Sequence, residues 1–174
     1  MRAGPEPRTT GRVHLASDMF LKLTGIEGES TVDAHQGEID VLTWTMGMAQ
    51  SGGAQVGRGR GAGKVHVHDL ALTKLVDRAS CKLMLACCSG TRIEEGVLVI
   101  RKAGQTPLEY LTITMNDIIV SSVSLAASSQ EDRPTESIAL NFTKFRVEYK
   151  EQQPDGTIVA SGTMGWDIAT NQNL

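Results

Sequence analysis

"SIALNFTKFRVEYKEQ", residues 137–152, is the clearest β signal in the chain. Phe145, Val147 and Tyr149 alternate with Lys144, Arg146, Glu148 and Lys150. A period of two belongs to a strand with one face toward a core and one toward solvent. "PDG" at 154–156 follows and reads as a hairpin turn. "TIVASGTMGWDI" then returns to close the sheet.

The same signal recurs upstream. In "DMFLKLTG", Met19, Leu21 and Leu23 share a face, with Lys22 and Thr24 opposite. Gly25 and Gly28 mark a turn. "EIDVLTWTMGMAQ" reads as one strand with Leu42, Trp44, Met46 and Met48 as its core face. Val41, Thr43, Thr45 and Gly47 fall on the other. "KVHVHDLAL" is a further short strand, and "GVLVIRK" and "LEYLTITMNDIIVSSVSL" continue the pattern, the latter turning Leu111, Ile113 and Met115 inward. One segment breaks it: "DRASCKLMLACCSG" has no period of two. Ser80 can cap a helix start and Gly90 can end it in a left-handed conformation. Cys81, Cys87 and Cys88 are read as small apolar residues on the packed face of that helix. Seven or eight strands and one short helix predict a mainly β fold: a small antiparallel β-barrel or two-sheet sandwich with the helix on its flank.

The totals agree with one globular unit. The chain has 174 residues, is 40% apolar and 21% charged, and carries a net charge of −3. That balance gives no global attraction to nucleic acid or anionic lipid. No run approaches the ~18 apolar residues of a membrane span. "MRAGPEPRTTGR" lacks the apolar centre of a secretory signal. Residues 1–16 read as a disordered N-terminal arm or start-site extension, and 17–174 as a single domain. Three cysteines crowded within eight positions and no signal suggest reduced thiols.

"GRGRGAGKVHVHD", residues 57–69, invites a chemical reading. A phosphate loop needs G-x-x-x-x-G-K-[ST]. Gly63 and Lys64 supply part of it, but Arg58 stands at the first glycine and Val65 replaces the hydroxyl. G-x-G-x-x-A at Gly57, Gly59 and Ala62 leads into strand, not helix, so no helix dipole faces an anion. His66 and His68 fall on one strand face and could share an ion, but Asp69 lies on the other and His14 and His35 are remote in sequence. No G-x-S-x-G elbow or Cys–His pattern is present. The pairs Glu94–Glu95 and Glu131–Asp132 read as solvated turns. We expect no enzyme, no metal and no cofactor.

A physical reading remains. Residues 51–64 hold six glycines in fourteen positions and one apolar side chain of size, Val56. Fixing a backbone residue costs about 1–2 kcal/mol, so ordering a dozen costs roughly 12–24 kcal/mol. The stretch is therefore an arm that needs another surface. Arg58, Arg60 and Lys64 suit an acidic patch on a neighbour; Glu27, Glu29, Asp33, Glu131 and Asp132 are candidates.

Taken in order, "DMFLKLTGIEGES", "EIDVLTWTMGMAQSG", "GAGKVHVHDLALTKLVDRAS", "LMLACCSG", "VLVIRKAG", "PLEYLTITMNDIIVSSVS", "EDRPTESIALNFTKFRVEYKEQQPDG" and "GWDI" closely resemble the haemolysin-coregulated protein (Hcp) family. This is the tube subunit of the bacterial type VI secretion system. The likeness covers about residues 17–172; the departure is the N-terminal arm, which is longer than the family's. The resemblance implies hexameric rings stacked into a tube, a contractile sheath, a spike trimer and small effectors held in the lumen. It implies residence in the bacterial cytoplasm, then export without a cleaved signal, and no membrane insertion. It makes Thr43 and Thr45 lumen-facing. It makes the stretch containing Gly52, Gly53, Gly57, Arg58, Gly59, Arg60, Gly61, Gly63 and Lys64 an extended inter-subunit loop. No toxin domain is expected after "GWDIATNQNL". The alternative on the same fold is a phage-type or other contractile-injection tail-tube protein without effector chaperoning.

Overall fold

The computed structural model describes residues 17–50, 64–102, 107–130, 132–153 and 157–174. The turns expected at 103–106 and 154–156, the N-terminal arm, and Gly52 through Gly63 of the glycine-rich stretch lie outside the described residues. The elements are β1 (Ser17–Leu23), a 3-10 turn (Asp33–His35), β2 (Ile39–Asp40), β3 (Thr43–Thr45), β4 (Met48–Ala49), β5 (His66–Val67), β6 (Leu70–Leu75), α1 (Ser80–Ser89), β7 (Arg92–Lys102), β8 (Leu108–Ala126), β9 (Thr135–Asn141), β10 (Lys144–Gln152), β11 (Ile158–Asp167) and β12 (Gln172–Asn173). All pairings are antiparallel. The mainly β, sandwich-like expectation holds, but with more and shorter strands than the periodicity suggested.

Inward parity changes in three segments, and in two of them the expected strand is divided. In β8, Ile113 and Met115 are buried before Asp117, whereas Ile118 and Val120 are buried after it. Asp117 itself has φ 53, a left-handed conformation that aspartate tolerates better than most residues. At that point β8 changes partner: Leu111–Asn116 pair with β10, and Ile119–Ala126 with β9. The second segment is the quoted one. It is two strands rather than one, because Phe142 and Thr143 break the ladder. Leu140 is buried before the break and Phe145 after it. Thr143 closes the corner, its N–H donating to Asn116 O (3.1 Å) and its hydroxyl to Asp117 Oδ2 (3.0 Å). Phe145 is buried and Val147 half-buried, but Tyr149 is 45% exposed.

The third switch falls in residues 39–49, expected as one strand. A bend at Leu42 separates β2 from β3, and residues 46–47 separate β3 from β4. Ile39 and Val41 point inward before it, so Val41 belongs to the core rather than to the polar face. Val41 N–H donates to Met19 O (2.9 Å) and Leu42 N–H to Thr73 O (2.8 Å). The segment thus spans from the β1 edge to β6. Leu42, Trp44 and Met46 are half-buried, with Trp44 and Met46 against the core. Met48 is 51% exposed and is not core in this chain.

α1 packs chiefly on β8 through Leu83 and Ala86. Gly90 ends it at φ 64 with its N–H on Ala86 O, as expected. The start differs: Asp77 Oδ1 accepts the Ala79 N–H (2.9 Å), while Ser80 Oγ accepts the Asp77 N–H (3.0 Å). Cys87 packs against the core, but Cys81 and Cys88 are exposed, contrary to the packed-face reading. Glu94 and Glu95 lie within β7, not in a turn.

Beneath the helix start sits a buried ionic cluster that no sequence pattern announced. Lys74 and Glu136 are fully buried partners across β6 and β9. Lys74 Nζ also donates to Asp77 Oδ1 (2.7 Å) and Leu75 O (2.9 Å), and Ser80 Oγ donates to Glu136 Oε1 (2.7 Å). Two carboxylates against one ammonium leave negative charge, which the first turn of α1 offsets. Glu136 Oε2 has no hydrogen-bond partner among the described residues.

Removing one partner strands a buried charge, so Lys74→Ala should destabilise the fold by about 3–5 kcal/mol. Lys74→Met with Glu136→Leu should recover most of that loss. Urea unfolding of both variants checks the pair.

Candidate functional site

The exposed face shared by β3, β6, β9 and the second half of β8 has an unusual composition. Residues directly opposite in a ladder share a face. Thr43 opposes Thr73, Thr73 opposes Ser137, and Ser137 opposes Ser124. The next row is Thr45, Ala71, Ala139 and Ser122. Eight positions over four strands thus hold only Thr, Ser and Ala. The five terminal or alternate hydroxyl residues, Thr43, Thr45, Ser122, Ser124 and Ser137, are exposed. Thr43 Oγ1 and Thr73 Oγ1 are 2.6 Å apart. Beyond the second row, Asp69 is occupied: Ser121 donates to Oδ2 (2.5 Å) and Asn141 to Oδ1 (2.7 Å). The wall therefore offers hydroxyls and methyls, with the Asp69 carboxylate beside it already committed.

Thr43 and Thr45 were legible as a polar strand face. Thr73, Ser122, Ser124 and Ser137 were not, because their register with Thr43 is set by ladders between residues far apart in sequence. The usable signal was the recurrence of small hydroxyls at alternate positions in separate strands.

The second feature is a groove of about 300 Å³ between the β4–β5 ribbon and β10–β11. Met48, Val65, Val67, Phe145, Met164 and Trp166 line it. Met48 and Met164 are 51% and 39% exposed. Trp166 Nε1 and Asn171 Oδ1 are buried at its margin without hydrogen-bond partners among the described residues. Asn171 sits in the turn from β11 to β12, shaped by Asp167, whose Oδ1 accepts the Thr170 N–H (2.9 Å).

Lys64 is the one described member of the glycine-rich stretch and is exposed. Among its proposed acidic partners, Glu29 is already engaged, accepting from Arg78 N–H (3.0 Å) and Arg133 (3.4 Å). His66 and His68 are exposed on β5 and beside it. His35 is elsewhere, buried against Phe20 with stacked rings 4.1 Å apart. Its Nδ1 lies 2.8 Å from Glu38 Oε2, and its Nε2 is 3.3 Å from Glu109 Oε1 but off the hydrogen-bond direction. Arg101 covers the same Phe20 ring at 5.1 Å.

Comparison with known proteins places this arrangement. Residues 20–149 match the family described as type VI secretion system effector, Hcp. Protein hcp1 of Pseudomonas aeruginosa is 46% identical over 159 residues, covering 90% of this chain and 98% of that protein. The crystal structure of Hcp1 from Salmonella typhimurium superposes with a TM-score of 0.76 at 37% identity, covering 92% and 100% of the two chains. A solved type six secretion system protein gives 0.85 at 29% identity, covering 91% and 100%.

The Asp167 carboxyl is held below its ordinary 3.8 mainly by the Thr170 N–H, with Lys144 assisting against partial desolvation. A depressed folded value adds stability that is present above 3.8 and fades as pH falls through the lowered value. Asp167→Asn should therefore be less stable than the parent at neutral pH, with the gap closing below pH 3.8 in denaturant melts.

Proposed function

Because the chain belongs to the Hcp family of type VI secretion proteins, we propose that it is a secretion-tube subunit: six copies close into a ring, rings stack, and small effector proteins travel inside. A contractile sheath and a spike trimer are the partners of that tube. The observation that carries the reading is the in-register row Thr43–Thr73–Ser137–Ser124 with its neighbour Thr45–Ala71–Ala139–Ser122. As the lumen wall, it can donate and accept hydrogen bonds through rotatable hydroxyls without a fixed charge. A wall without fixed charge does not select cargo by net charge, and its short side chains leave the passage open.

Contact between copies has its own support. The outer edge of β11 carries a ladder only at Trp166 and Asp167, leaving Ile158–Met164 without an outer strand among the described residues. An open strand edge is a template for another chain. Ile158, Val159 and Met164 on that strand are exposed, as is Met48 across the groove. Burial against a neighbour would cover this apolar surface. The glycine-rich stretch 52–63, with Arg58 and Arg60, is assigned to contact with an adjoining copy, for the entropic reason given by its composition.

Light scattering of the purified chain should give a hexamer, and electron micrographs should show annuli; a monodisperse monomer at micromolar concentration overturns the reading. Met164→Lys should weaken assembly by about 1.5–3 kcal/mol per contact, the value of one buried apolar side chain, while leaving the fold intact by circular dichroism. Thr45→Arg should spare the ring and lower the amount of effector that co-purifies with it. Loss of the ring in Thr45→Arg would instead place Thr45 at a subunit contact.

A further inference from the structure

We propose that His66 and His68 form a chelating site for a borderline divalent transition ion, Cu²⁺, Ni²⁺ or Zn²⁺. The sequence argued against an ion because Asp69 lies on the wrong face to be a third ligand. The structure shows a two-ligand geometry that does not need it.

The two side chains leave the backbone two residues apart, His66 on β5 and His68 just beyond it, and both are exposed. Their ring centroids are 5.0 Å apart with the planes tilted by 60°. An imidazole nitrogen binds such an ion at about 2.0–2.1 Å, and adding roughly 1.1 Å to the ring centre places each centroid about 3.2 Å from the ion. Two centroids 5.0 Å apart then subtend an angle of about 100° at a shared ion, near the tetrahedral value. The centroid separation thus matches that of two imidazoles sharing one ion, and binding requires one nitrogen of each exposed ring to turn toward the shared point.

The approach is clear on the facing strand. His66 opposes Ala49 in the β4–β5 ladder. His68 lies beside Gly47, where even a Cβ would stand 3.7 Å from Nδ1. The His68 N–H donates to Gly47 O (2.8 Å), which fixes the backbone carrying the second ring. A methyl and a hydrogen therefore face the two imidazoles from the paired strand. Val65 and Val67 line the apolar groove, so the histidines occupy the opposite side of the ribbon. Asp69 stays with Ser121 and Asn141. No group of three or more His, Cys, Asp and Glu suited to a metal forms among the described residues. Water therefore completes the coordination shell, which leaves open, exchangeable positions. Imidazole ligation suits Cu²⁺, Ni²⁺ and Zn²⁺, with Cu²⁺ the tightest of the three.

The test is isothermal titration of the tag-free chain with NiCl₂ and with CuCl₂. One ion per chain should bind, Cu²⁺ more tightly than Ni²⁺. Partners outside the coordination shell are themselves worth about 10–100-fold in metal affinity, so His66→Ala and His68→Ala should each weaken binding at least tenfold. His14→Ala should leave it unchanged. Both substituted histidines are exposed, and circular dichroism checks that the variants remain folded. The proposal fails if the parent chain binds no ion, or if either single variant binds as tightly as the parent. Since neither outcome depends on ring formation or cargo, the result is separate from the tube reading.

Discussion

Every strand of this fold must find hydrogen-bond partners for its backbone, and one strand does so for two branches of one sheet. β8 keeps β7 along one edge and divides its other edge between β10 and β9. The handover occurs at Asp117, where a positive φ turns the chain and reverses which side chains face inward. Asn116 and Asp117 bind Thr143 across the corner, so the break between β9 and β10 falls opposite the bend in β8. The branching of the sheet follows from satisfying buried backbone groups around that single bend.

The bend also sorts the surface. The later half of β8 places Ser122 and Ser124 in line with β9, β6 and β3, which produces the uncharged hydroxyl wall. The earlier half supports β10, and β10 supports β11, whose outer edge over Ile158–Met164 and whose exposed apolar side chains have no covering strand among the described residues. One strand thus separates a polar, small-residue face from an apolar edge. That division is the physical basis for proposing cargo passage along one and contact between copies at the other.

Within the chain, the Lys74–Glu136–Asp77–Ser80 cluster ties the helix start to β6 and β9. Lys74 shares its strand with Thr73, so the anchor lies directly behind the hydroxyl wall. Buried ion pairs add little net stability, but they penalise any register that separates the charges. A slip of one residue in β6 would bring Lys74 to the wall and Thr73 to the core.

Alternation in residues 17–23, 108–115 and 144–147 revealed strands and their inward faces, because a period of two is a local property of the pleat. The helix was legible from its lost period and from Gly90, whose left-handed backbone is cheap only for glycine. The neutral polar face at Thr43 and Thr45 was legible for the same local reason. Met48 escaped: a strand pattern cannot report that the chain bends at Leu42 and that Met48 is left exposed beside the groove. The tertiary structure alone decided where parity reverses, that Thr73, Ser124 and Ser137 align with Thr43, and that a lysine and a glutamate sixty-two residues apart meet in the interior. Those features depend on register and on burial between distant segments, and a linear sequence carries no distance between residues that are not neighbours.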